Sequence, residues 1–153
     1  MPSTRESRNQ TRLQLDSGQL DLTGLVLADA DEPAFRTSLG ALWSGDCMDV
    51  LPMIGDEVAD TVFADPPFNL GKEYGDRSND MRSDYLEWCY GWLAECIRIL
   101  KPGGSFFVYN LPKWNIPIGA FLGTQGLEFR HWIAVEISAC LPIPGRLHPS
   151  HSL

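Results

Sequence analysis

Residues 58–71 read VADTVFADPPFNLG. Val58, Thr61, Val62 and Phe63 are β-branched or aromatic, so the first half predicts a strand. The apolar run stops at Asp65. Pro66 and Pro67 follow; their rings fix φ and leave no N–H to donate. Their carbonyls still accept hydrogen bonds. Phe68 then offers a flat apolar face. In an open α/β sheet, ligands bind beyond the carboxyl ends of the strands. An acid, a proline carbonyl and a ring at such an end suit a planar group bearing an NH2, with two acceptors for the amine and an aromatic face for stacking. The competing reading is a strand followed by a plain Pro-Pro turn, with Asp65 capping and Phe68 in the core.

The flanks supply the rest of a layered fold. Upstream, ALWSGD (41–46) predicts a short strand ending in Gly45-Asp46. CMDVLPMI then places Met48, Leu51 and Ile54 at helical spacing, and Pro52 keeps that helix to a turn or two. Downstream, residues 69–83 predict a polar loop with two glycines. A strong helix is predicted from about residue 84 to 100. Leu86, Cys89, Leu93, Cys96, Ile97 and Leu100 share its apolar face. Ser83 or Asp84 can cap its start, and Lys101-Pro102-Gly103-Gly104 ends it. SFFVYN (105–110) predicts a third strand, 115–122 a helix, and LEFRHWIAVEIS (127–138) a fourth strand that can run antiparallel. Strands alternating with helices predict an α/β fold with a largely parallel sheet. Residues 1–40 show no sustained period and predict a poorly ordered N-terminal extension with one short strand near 22–27.

The chain has 153 residues, enough for one domain or less. Its hydrophobic content of 44% and charged content of 21% fit a soluble globular protein. No apolar run reaches the roughly 18 residues of a membrane span. The polar start lacks the apolar core of a signal peptide, so a cytoplasmic location and no membrane contact are expected. Cys47, Cys89, Cys96 and Cys140 form no CxxC pair, which argues against a zinc site; no metal is expected. The net charge of −8 argues against a generic basic nucleic-acid coat and leaves room for a local basic groove.

Taken together, GDCMDVLPMI (45–54) and VADTVFADPPFNLGKEYGD (58–76) resemble the target-base half of amino-DNA methyltransferases. Those enzymes move a methyl group from S-adenosylmethionine to adenine N6 or cytosine N4. Their motif (D/N/S)PP(Y/F/W) stands here as Asp65-Pro66-Pro67-Phe68. The helix–LKPGG–strand run over residues 99–108 is similar to a feature of the wider Rossmann-like methyltransferases. The similarity covers roughly residues 42–150. It implies a Rossmann-like methyltransferase sheet, S-adenosylmethionine as methyl donor and double-stranded DNA as substrate. It also implies that Asp65 and a proline carbonyl, that of Pro66, hold the amine while Phe68 stacks on a flipped base. Adenine is favoured, because cytosine-N4 enzymes more often begin the motif with serine. The resemblance places Asp46, with Asp65, at the cofactor; the alternative is that Asp46 only caps the turn at Cys47.

Weaker candidates surround this pair. Asn69 and Lys72 open a loop that covers the cofactor, meets DNA or is merely solvated. Asn110, Lys113 and Trp114 follow the third strand at its functional end. They line the base pocket, or serve packing, with Asn115 as a helix cap. Arg146 is a candidate phosphate contact beside His148 and His151, which read as polar surface. Trp88, Tyr90 and Trp92 read as packing. The family's permuted order puts a glycine-rich FxGxG turn after the target motif and a recognition region, so it is expected beyond residue 150. Gly123-Thr124-Gln125-Gly126 lacks its spacing. Residues 41–153 are therefore expected to be the N-terminal, target-base part of an N4/N6 methylase domain with an incomplete sheet. The chain alone is expected to hold S-adenosylmethionine weakly or not at all, and to need a C-terminal half or second subunit. Competing readings are a methyltransferase acting on RNA or a glutamine side chain, and a non-catalytic DNA- or partner-binding remnant.

Overall fold

The computed structural model describes residues 18–72, 79–136 and 151–152. Strands β1 (Phe35–Arg36) and β2 (Ala41–Leu42) form an antiparallel pair. Asp46 caps the single-turn helix α1 (Cys47–Val50), which runs into a 3-10 turn, Leu51–Met53. Strand β3 (Ala59–Ala64), helix α2 (Tyr85–Ile99), strand β4 (Leu100–Val108) and helix α3 (Pro112–Thr124) follow. Strands β5 (Val135–Glu136) and β6 (His151–Ser152) close the series as a second antiparallel pair.

Strands β3 and β4 run parallel, with Thr61 opposite Ser105 and Ala64 opposite Val108. Helix α2 between them is the crossover that a parallel pair requires. The arrangement is an α/β fold. Alternate residues of each strand point to opposite faces. Val62, Ala64, Phe106 and Val108 pack on a core of Tyr85, Cys89, Trp92, Leu93 and Cys96 from α2 and Ile118 from α3. Phe63 and Phe107 turn to the other face, exposed, with ring centroids 6.5 Å apart. Burial pushes the Cys89 and Cys96 thiols up to about 11 and about 12. They are packing groups, as their place on the apolar stripe predicts.

Arg98, in the last turn of α2, ties the helix to the 3-10 turn. Its guanidinium donates to the carbonyls of Leu51 (2.8 Å) and Ile54 (2.9 Å) and pairs with Glu95 (2.8 Å) and Asp56 (2.5 Å). From residue 18 on, the N-terminal stretch is also tied down. Leu27 N–H donates to Met53 O, and Gly55 N–H donates to Leu25 O. The strand expected near 22–27 is reduced to isolated bridges at Thr23 and Val26. Residues 1–17 lie outside the described residues.

Several expected elements change in extent. Of ALWSGD, Ala41 and Leu42 alone are strand, and they pair with β1 rather than with the parallel sheet. Gly45-Asp46 is thus a loop that enters α1. LKPGG is not a turn before a strand but the first half of β4. Leu100 already faces Ala59, while Ser105 faces Thr61, so Lys101 to Gly104 form a bulge. Gly103 takes φ 79° there. A Cβ on Gly104 would meet Lys101 O at 2.9 Å and Asp60 O at 3.0 Å, so the close backbone approach needs glycine. Helix α3 begins three residues earlier than predicted, with Pro112 in its first turn, where a missing N–H costs nothing. Asn115 is therefore inside the helix and not its cap. Residues 127–134 carry no regular structure, and the expected fourth strand shrinks to Val135–Glu136 among the described residues. No helix among the described residues is long and apolar enough to cross a membrane.

Candidate active site

Parallel pairing brings the carboxyl ends of β3 and β4 to one edge. Tyr109 N–H donates to Ala64 O across 2.9 Å, so Asp65 and Tyr109 leave the sheet side by side. The rings of Phe68 and Tyr109 lie 5.5 Å apart, tilted by 59°.

The loop after β3 is held from two helices. The Tyr85 hydroxyl, at the start of α2, donates to Pro67 O at 2.5 Å and accepts from Asn110 Nδ2 at 2.9 Å. Burial pushes the Tyr85 phenol above its ordinary value, so the proton it donates stays in place. Asn110 is itself fastened: its Oδ1 accepts from Leu111 N–H at 2.8 Å and its carbonyl accepts from Asn115 Nδ2 at 3.0 Å. The indole Nε1–H of Trp114, on α3, donates to Phe68 O at 3.0 Å. The Tyr85 and Trp114 rings lie 4.8 Å apart. Pro67 O and Phe68 O are thus occupied. The Pro66 carbonyl and the exposed Asp65 carboxylate take no hydrogen bond from any described residue.

The next residues are clamped rather than free. Asn69 adopts the left-handed φ of 56° that an Asn side chain tolerates. Its amide donates to Arg82 O at 3.1 Å and accepts from Arg82 N–H at 2.7 Å. Asp80 is buried and accepts from the backbone N–H groups of Leu70 (3.1 Å) and Lys72 (2.8 Å). Burial opposes its ionisation, but those N–H groups, with that of Gly71, outweigh it and hold the carboxyl below its ordinary value. The Asn69 amide is therefore spent on the loop itself.

Asp46 shares no hydrogen bond with this cluster among the described residues, though its charge reaches Arg82. One of its carboxylate oxygens accepts from Met48 N–H at 2.9 Å, so it caps α1. The residue is also exposed, and a carboxylate has acceptor sites beyond one N–H. Burial, and after it the Asp46 charge, push the neighbouring Cys47 thiol up. This acceptor suits a ribose hydroxyl or an adenine amine, both of which offer protons to a carboxylate.

Arg82 spans the Trp88 ring at 5.2 Å and pairs with Asp84 at 3.0 Å, while Lys113 Nζ lies 4.6 Å above the Trp114 ring. A depression of about 440 Å³ runs between Arg82, Asp84, Tyr85, Glu87 and Trp114. Trp92 is buried, Tyr90 stacks on Phe121 at 4.4 Å and Trp88 lies 5.7 Å from Tyr85; all three pack. Arg146 and His148 lie outside the described residues, as does the side chain of His151. No group of three or more His, Cys, Asp or Glu stands together among the described residues in a way that could hold a metal. Tyr85 and Asp80 were not foreseen. Tyr85 carries a weak signal, a hydroxyl four residues ahead of Cys89 on the apolar stripe. Asp80 carries none, because its partners are loop amides.

A family model described as DNA methylase matches residues 59–152. The chain is 50% identical over 122 residues to the type II methyltransferase M.BamHI of Bacillus amyloliquefaciens, covering 78% of this chain and 29% of that protein. It is 38% identical over 76 residues to the type II methyltransferase M.HpaI of Haemophilus parainfluenzae, 48% of this chain and 24% of the relative. It is 37% identical over 74 residues to the DNA adenine methyltransferase YhdJ of Escherichia coli, 48% of this chain and 25% of the relative. The chain thus spans less than a third of the length of each of these three relatives.

Proposed function

The chain belongs to the DNA methylase family of N6 and N4 methyltransferases, and on that premise we propose that it forms the base-holding side of a DNA amino-methyltransferase. The methyl acceptor is the exocyclic N6 of an adenine in double-stranded DNA, flipped out of the duplex against the loop beyond β3. S-adenosylmethionine supplies an electrophilic methyl group when bound. Residues 41–153 make up this target-base part, within a Rossmann-like sheet that further strands would extend. Acting on chromosomal or plasmid DNA would keep the protein in the cytoplasm.

One observation carries the reading. No described residue donates a hydrogen bond to the Asp65 carboxylate or to the Pro66 carbonyl, whereas the Pro67 and Phe68 carbonyls are engaged, and the Phe68 ring follows two residues on in sequence. An adenine amine has two N–H groups. Asp65 accepts one and the Pro66 carbonyl the other, so the nitrogen lone pair is left directed away from both. Phe68 stacks on the ring, and this contact offsets part of the few kcal/mol that flipping costs. As nitrogen gains the methyl group it must lose a proton, and the Asp65 carboxylate is placed to take it. Positioning and electrostatics supply the rate, with no covalent intermediate. Asp46 holds the adenosine portion of the methyl donor through its exposed carboxylate, alongside its capping bond. Adenine is proposed over cytosine because aspartate leads the motif and because one relative is a DNA adenine methyltransferase.

The test is transfer of a labelled methyl group from S-adenosylmethionine to duplex DNA. The chain is assayed alone and mixed with an FxGxG-containing segment of a DNA methylase, and the DNA is digested to nucleosides. Label in N6-methyladenine that disappears in Asp65→Ala is expected. Transfer that survives Asp65→Ala, or label recovered in RNA or protein instead of DNA, would overturn the proposal.

A further inference from the structure

Three consecutive residues, Asp65, Pro66 and Pro67, join the amine acceptors to the stacking ring of Phe68. The two proline rings fix φ at residues 66 and 67. A residue that precedes proline is confined to extended ψ, and this applies to both Asp65 and Pro66. Between the Asp65 Cα and the Phe68 Cα the segment therefore keeps one soft backbone torsion, ψ of Pro67. That torsion sets the direction of the Pro67 carbonyl and, through it, where Phe68 lies relative to Asp65 and the Pro66 carbonyl. The Pro67 carbonyl is the group that the Tyr85 hydroxyl grips at 2.5 Å. Tyr85 is 2% exposed and Asn110, which orients the hydroxyl from the other side at 2.9 Å, is 1% exposed. Tyr85 and Asn110 are thus buried together, while Pro67 lies at the exposed end of the bond.

We propose that the Tyr85 hydroxyl, oriented by Asn110, is a positioning group that locks ψ of Pro67 and so holds the stacking ring and the two amine acceptors in register for one and the same base. Asn110 sets the direction: its Nδ2 donates to the phenol oxygen, which leaves the phenol proton for Pro67. Its Oδ1 is already engaged with Leu111 N–H at 2.8 Å, so the amide has one orientation. A purine that stacks on Phe68 then presents its amine to Asp65 and Pro66 without further loop motion. The inference rests on the reading that a base is held here.

The experiment separates the two. The 153-residue chain is titrated with adenosine and with purine riboside, the same nucleoside lacking the amine. The indole N–H resonance of Trp114, assigned from Trp114→Phe, reports binding. The wild-type chain is expected to prefer adenosine by about tenfold, the worth of two net hydrogen bonds. In Tyr85→Phe the preference should fall to about twofold, while affinity for purine riboside changes little, because the stacking ring remains. A tenfold preference that survives in Tyr85→Phe overturns the positioning role. So does an equal weakening of both ligands, which marks a merely structural residue. If the wild-type chain shows no preference, the base-holding reading itself fails, and the inference with it. Should Tyr85→Phe not fold, the near-isosteric Asn110→Asp carries the test. Its new carboxylate draws the phenol proton away from Pro67, so the amine preference should again collapse.

Discussion

The indole Nε1–H of Trp114 donates to the carbonyl of Phe68 across 3.0 Å, linking the helix after β4 to the loop after β3. Two segments 46 residues apart in sequence are thereby fixed to each other at the edge where both strands end. Trp114→Phe would keep an aromatic ring against Tyr85 and lose this bond. We expect a loss of about 1 kcal/mol in unfolding free energy, read from urea denaturation. An unchanged midpoint would mean that the bond contributes nothing to the loop.

Asp80 holds the amides of Leu70 and Lys72, and its carboxyl lies below its ordinary value of 3.8. A depressed carboxyl stabilises the fold fully above its unfolded-state value, and that contribution is lost as the pH falls below it through the folded value. Hydrogen exchange at the Leu70 and Lys72 amides, corrected for intrinsic rates, should therefore accelerate as the pH falls below about 4. Asp80→Asn should show the faster exchange at every pH and lose the acid step. An acid step that persists in the variant would assign it to another group.

Arg98 serves two carbonyls and two carboxylates at once. A lysine there keeps the charge but cannot present the planar fork. Arg98→Lys should cost about 1–2 kcal/mol by urea denaturation and loosen the 3-10 turn at Leu51–Met53. If the stability is unchanged, the anchoring account of Arg98 is wrong.

Asp65 is exposed and makes no hydrogen bond with a described residue. Asp65→Ala should leave the unfolding midpoint unchanged, within about 0.5 kcal/mol. The methyl transfer proposed above, assayed with the complementing segment, should nonetheless fall by roughly two orders of magnitude or more. By contrast, Leu93→Ala, at a fully buried site, should cost about 2–5 kcal/mol. A large stability loss in Asp65→Ala would make it a structural residue instead.

Helix α2 and strand β3 were legible because their signals are local. The apolar stripe through Cys89, Leu93 and Cys96 repeats every three to four residues, and Val62 alternates with its neighbours along β3. The DPPF segment was legible for the same reason: proline geometry is written into the residues themselves. LKPGG was misread, because glycines and a proline signal a turn while the parallel partner β3 recruits Leu100 into its ladder and bulges the rest. ALWSGD was misread because an isolated short apolar run does not say which edge it joins. The helix at Pro112 began early because proline at a first turn lacks nothing there, and Asn115 was needed inside to hold the Asn110 carbonyl.

The sequence by itself determined an acid, two locked peptide units and a ring in that order, since proline restricts its own φ and its predecessor's ψ whatever the surroundings. It did not determine which proline carbonyl is engaged within the fold. That was decided by tertiary structure. Parallel pairing of β3 with β4 brings Asn110 to the end of β3, and helix α2 delivers Tyr85 beneath Pro67. The Pro67 carbonyl is then consumed, while the Pro66 carbonyl takes no bond from a described residue. Hydrogen bonds between residues 18 and 25 positions apart depend on how elements pack. Local pattern carries no record of that packing.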